Sequence, residues 1–179
     1  FGVGGLLLAQ SCGEDDPTPI ELSAVTAGSV DLNGATSATN VPKDATITVT
    51  FNTDVDASTA TSSNIKLKRD YDQADIPVTI TASGATVTID PTNNLNGGAL
   101  FVLSISEGLK SSKGLALTAL TRSFTTAGAF APDGVVAHWT FEDSPNAVVG
   151  SFNADATKTK DVTYVASRNT AAGKAASFN

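Results

Sequence analysis

The stretch NVPKDATITVTFNTDVDAST, residues 40–59, changes its pattern twice. Asn40-Val41-Pro42 reads as a turn, because the proline ring fixes φ and pushes the residue before it out of the helical region. From Thr46 the chain alternates: Ile47, Val49 and Phe51 fall on one side, and Thr46, Thr48 and Thr50 on the other. A period of two built from β-branched and aromatic residues predicts a strand with one buried face. After Phe51 the alternation stops. In Asp56-Ala57-Ser58-Thr59-Ala60 the aspartate is placed to cap a short helical turn, and the same residues are also compatible with a plain polar loop.

The alternation recurs outward from this strand. Ile65 and Leu67 alternate with lysines in IKLK (65–68). IPVTIT (76–81), TVTID (86–90), LFVLSIS (100–106) and TRSFTT (121–126) continue it. Between them NVPKD, SGA, NLNGG and SSKG supply the Gly, Pro and Asn that turns require. Several short strands at this spacing predict an all-β sandwich.

Composition agrees. The chain has 179 residues, enough for one or two domains, and 41% of them are hydrophobic, which argues against disorder. Its net charge is -7, with only 11 basic residues. Nucleic-acid binding needs clustered Lys and Arg to neutralise phosphates, so no nucleic acid is expected as a partner.

NVPKDATITVTFNTDVDAST (40–59), NIKL (64–67), TVTIDPTNNLNGGALFVLSIS (86–106), GLKSSKGLAL (108–117) and SFTT (123–126) come in the order of a known pattern. Together they resemble the bacterial Ig-like domain of the SbsA type, first associated with surface-layer proteins. The resemblance covers roughly residues 20–127. It implies a seven-stranded sandwich without enzyme activity, serving as a spacer between an anchor and a working module.

Ahead of this domain, FGVGGLLLA (1–9) is an apolar run shorter than the roughly 20 residues a bilayer span requires. It reads as the remnant, residues 1–11, of a secretory signal peptide. AQSC (9–12) resembles a bacterial lipobox, which implies that the chain is cut before Cys12 and lipid is attached to it. Two or more acyl chains anchor a protein firmly where one does so marginally. Cys12, the only cysteine, is therefore read as the lipidation site and the contact with the membrane. Gly13-Glu14-Asp15-Asp16 is similar to the acidic export tag of surface lipoproteins, and residues 12–19 form an acidic tether. The expected location is the cell envelope, at an outer membrane and facing the exterior.

After residue 127, GAFAPDG (128–134) reads as a small-residue linker. In GVVAHWTFED, Val135, Ala137, Trp139 and Phe141 alternate with Val136, His138 and Thr140, which predicts a further strand. With GKAASFN at 173–179, this resembles the opening of a laminin-G-like domain of the concanavalin A-like lectin superfamily. The fold expected for the whole chain is thus an Ig-like β-sandwich (20–127) followed by the incomplete N-terminal part of a concanavalin A-like jelly roll (135–179).

Few residues bear catalytic chemistry. His138 is the only histidine, and a nucleophile–histidine–acid arrangement would have to use it. One His and one Cys do not make a structural zinc site. Calcium is the one cofactor considered, either at Asp70, Asp72 and Asp75 or at Glu142 and Asp143, although neither stretch has the EF-hand pattern. Trp139 is read as a core residue, with a sugar-stacking platform as the alternative. No catalytic, cofactor-binding or metal residue is assigned. Two functions remain: a surface lipoprotein presenting a lectin-like module to a carbohydrate or glycoprotein ligand, and the anchor and stalk of a glycan-degrading enzyme. An E-x-D-x-E strand would mark the second, and none occurs in the chain.

Overall fold

The computed structural model describes residues 19–34, 36–155, 157–168 and 173–178. The signal-peptide remnant and Cys12 lie outside the described residues. Among the described residues, nine strands precede residue 127: β1 (Leu22–Ala27), β2 (Val30–Asp31), β3 (Ala38–Val41), β4 (Ile47–Phe51), β5 (Ile65–Arg69), β6 (Val78–Ser83), β7 (Thr86–Pro91), β8 (Leu100–Ile105) and β9 (Leu120–Thr126). They form a five-stranded sheet in the order β2-β1-β4-β7-β6 and a four-stranded sheet in the order β3-β9-β8-β5. All neighbours pair antiparallel except β3 and β9.

The register turns the sequence alternation into rows that run across the sheet. On the inner side of the five-stranded sheet, Val25, Val49, Val87 and Ala82 align, as do Ala27, Ile47, Ile89 and Ile80. On the outer side the aligned residues are Thr26, Thr48, Thr88 and Thr81. Threonine suits such a half-exposed row, since its β-branch favours the pleat and its hydroxyl is compatible with water. The inner rows meet Ile65, Leu67, Phe101, Leu103, Ile105 and Phe124 from the opposing sheet in one core. Phe101 and Phe124 stack there, with ring centroids 5.7 Å apart. All-β sandwich architecture, expected from the period of two, is what the chain adopts.

Particular elements refine the expectation. Asp56 does cap a helical turn, a one-turn 3₁₀ helix (Ala57–Thr59), by accepting a 3.0 Å hydrogen bond from the Ser58 amide. The Ser58 hydroxyl, and after it the same amide, hold the Asp56 carboxyl below the ordinary carboxylate range. The resemblance implied seven strands, and the described residues of this domain form nine, two of them short. β2 is two residues long, and β3 lies parallel to β9 with a shifted register between Ala38 and Val41.

The strand expected over residues 135–141 does not form as such. His138 makes a single bridge to Val149, and Phe141 and Asp143 take left-handed φ values of 58° and 60°. Alternation cannot hold a strand straight without a neighbour on which to build a ladder. Val135, Trp139 and Phe141, expected to share a buried face, are consequently each more than a third exposed. Farther on, β10 (Val162–Ala166) and β11 (Lys174–Phe178) pair antiparallel as a two-stranded sheet.

Candidate functional site

Ionisable side chains gather in two places. The first is the hairpin loop between β5 and β6. Ile65, Leu67 and Arg69 share the inward face of β5, so the alternation carries a guanidinium into the end of the core, where Arg69 is only 6% exposed. A buried arginine requires partners. Asp72 supplies a bidentate pair, accepting from Nη2 at 2.7 Å and from Nε at 3.1 Å. The Asn96 side-chain oxygen accepts from Nη1 at 2.6 Å. The guanidinium carbon also lies 4.8 Å from the Tyr71 ring centroid, within cation–π range.

This use of Asp72 separates the three aspartates considered for calcium. Asp72 faces Arg69 and also accepts from the Ala74 amide, whereas Asp75 lies 3.8 Å from Lys68. The carbonyl of Asp70 accepts from the Gln73 side chain. The loop is organised around a resident cation, Arg69.

The hydrogen bonds from Arg69 hold the Asp72 carboxyl below the ordinary aspartate value, while Asp72 raises Arg69. A carboxyl depressed in the folded state stabilises it fully above the unfolded value of about 3.9. That contribution is lost as the pH falls through the lower folded value. A carboxyl-detected NMR titration should therefore show Asp72 protonating below the ordinary aspartate range. Replacement of Arg69 by Gln should move that titration up toward the ordinary range.

The second gathering joins the loop after Phe141 to the start of β11. Glu142 Oε1 accepts from the Lys174 amide at 2.9 Å, and both Asp143 carboxylate oxygens accept from Lys174 Nζ, at 2.6 and 2.7 Å. Gly173 lets the Glu142 carboxylate come this close, because a Cβ there would collide with it. The Glu-Asp and Gly-Lys pairs, about thirty residues apart, are thus two halves of one ionic closure. Lys174 occupies the carboxylates considered for calcium.

Among the described residues, no group of three or more His, Cys, Asp or Glu side chains is arranged to hold a metal ion. His138 is partly buried, and its Nδ1 has no hydrogen-bond partner among the described residues. Trp139 donates from its indole nitrogen to the Phe152 carbonyl at 3.0 Å, with the two rings 6.5 Å apart. This contact leaves the indole 38% exposed. Core packing was the expectation for Trp139, and the structure instead leaves the residue more than a third exposed. Sequence reasoning missed Arg69 and Lys174. The signal for Arg69 was its place in the Ile65-Leu67-Arg69 alternation. Lys174 could not have been paired with Asp143 without knowing how the chain returns.

Residues 24–126 match the family described as Bacterial Ig-like domain. The chain belongs to the bacterial Ig-like domain family. The matched span begins in β1 and ends with β9, and so takes in both sheets of the sandwich. Among solved structures, the chain is similar to the N-terminal part of the bacterial S-layer protein SbsC, with 19% identity and a TM-score of 0.46, over 69% of this chain and 27% of that one. It is also similar to domains 1-6 of surface layer protein SbsC, with 20% identity and a TM-score of 0.44, over 69% of this chain and 16% of that one. This bacterial Ig-like chain thus spans well under two thirds of the length of either structure. No curated protein matches it.

Proposed function

We propose that the protein is a surface lipoprotein anchored through Cys12, in which the Ig-like domain is a non-catalytic spacer and the segment from residue 135 belongs to a lectin-like module that binds glycan or protein. The observation that carries this reading is where the apolar side chains go. Every buried hydrophobic residue among those described lies between Ile20 and Phe124. Of the large hydrophobic residues left exposed, all but Tyr71 lie at or beyond Phe130. A spacer spends its apolar residues on its own core and shows water a Thr-rich surface, as the sandwich does. Exposed Trp139, Phe141 and Phe152 suit a segment whose apolar surface is covered by further structure or by a ligand.

The lipobox resemblance at AQSC supports the anchor, and the acidic residues after Cys12 suit export to the outer face of an outer membrane. The bacterial Ig-like family supports a place at the cell surface. Metabolic labelling with a fatty acid tests the anchor. Expressed from its gene in a lipoprotein-processing host, the protein should take up label and sediment with membranes. Cys12→Ala should lose the label and be released. Undiminished labelling of that variant would refute lipidation at Cys12.

A further inference from the structure

The segment after β9 is tied down in the structure. The Ala127 amide donates to the Val41 carbonyl at 2.8 Å, which holds the start of the segment beside β3. Next, the backbone of 128–130 passes directly over Gly97 and Gly98. A Cβ at Gly98 would collide with the backbone of Ala129 and Phe130, and one at Gly97 would press on the carbonyls of Ala127 and Ala129. Glycine is needed here because two backbones meet without side chains between them.

Two aromatic rings and the buried arginine hold the far end. Phe130 meets Tyr71 edge-on, with ring centroids 5.4 Å apart. The Asp133 amide donates to the Tyr71 hydroxyl at 2.8 Å, and the Asp133 carboxylate approaches Arg69 Nη2 at 3.5 Å. Pro132 presets one backbone angle, and its carbonyl accepts from the Val135 amide at 3.2 Å, closing a turn. Arg69 stands behind this group, fixed by Asp72 and Asn96, with its guanidinium against the Tyr71 ring.

We propose that residues 128–133 are a strap locked by Arg69 and Tyr71, so that the chain leaves the Ig-like domain in one fixed direction. Composition alone makes GAFAPDG a flexible connector. The locked strap makes it a rigid elbow, through which orientation passes from the sandwich to whatever follows. The elbow is a property of the sandwich end itself. It depends neither on lipidation of Cys12 nor on what the later segment binds, so labelling at Cys12 and the strap succeed or fail separately.

Backbone ¹⁵N relaxation on the 179-residue chain tests the strap. The amides of Ala129, Phe130, Ala131 and Asp133 should give order parameters of about 0.8 or more, close to those of β8. Tyr71→Phe keeps the ring and removes only the acceptor for the Asp133 amide; exchange of that amide with solvent should speed up about ten-fold or more. Gly98→Ala and Arg69→Lys should lower the strap order parameters toward about 0.6 or below, with β8 unchanged. Wild-type strap values already below about 0.6 would overturn the proposal. So would a Tyr71→Phe chain with unaltered Asp133 exchange, and since Tyr71 is 41% exposed that variant should still fold.

Discussion

Replacement of Phe124 by Ala should destabilise the Ig-like domain by about 3–5 kcal/mol, the usual cost of emptying a buried aromatic site. Phe124 has no solvent exposure, sits in the middle of β9 and stacks on Phe101 from the neighbouring strand β8. The lost ring contact is part of the cost, and so is the cavity that the strands on either side cannot close. Domains of this size hold about 5–15 kcal/mol in total. At a urea dependence of about 1–3 kcal/mol per molar, the unfolding midpoint should fall by roughly 1–5 M. A shift too small to resolve would mean that the two sheets do not meet at this ring.

A charge at Val49 should be worse than a cavity. Val49 is fully buried in the central strand β4, flanked by Val25 and Val87. Val49→Asp puts a carboxylate where no cation or donor can reach it. Burying an unpaired ionised carboxylate costs many kcal/mol, so the group either takes up a proton or the domain unfolds. The cooperative thermal transition should disappear at neutral pH. Thr48→Lys, one residue earlier, places its charge on the outer row beside Thr26 and Thr88. That variant should stay within about 1 kcal/mol of the wild type, the scale of a cross-strand pair. Circular dichroism melts of both variants check the register, because a slip of one residue would exchange the two outcomes.

The sandwich was legible in the sequence because its strands obey a period of two with turn residues between them. β4, β5, β7, β8 and β9 lie within a residue or two of the alternating runs that predicted them. β1 was harder to see. LSAVTA mixes small and large residues, and its register with β4 shifts between Leu22 and Ala24. β2 and β3 are set by neighbours distant in sequence, which a local pattern cannot report. The same limit explains the error at 135–141, where a run with strand-like alternation found one bridging partner and turned away at Phe141. At the ionic sites the residue types were legible and their pairings were not. Three aspartates in DYDQAD looked like oxygen ligands, yet Arg69, one residue upstream, was the group that one of them answers.

In the proposed function the Ig-like domain spaces and the segment after it binds. A glycan array probes this most directly, with the isolated domain, residues 19–127, compared against the protein expressed from its gene, each with and without a chelator. The isolated domain should show no specific signal, because its apolar residues are buried in its own core and Tyr71 is the one large hydrophobic side chain it exposes among the described residues. The longer protein should show specific binding that falls when Trp139 is replaced by Ala. Specific binding by residues 19–127 alone would contradict the account and move the working surface into the sandwich.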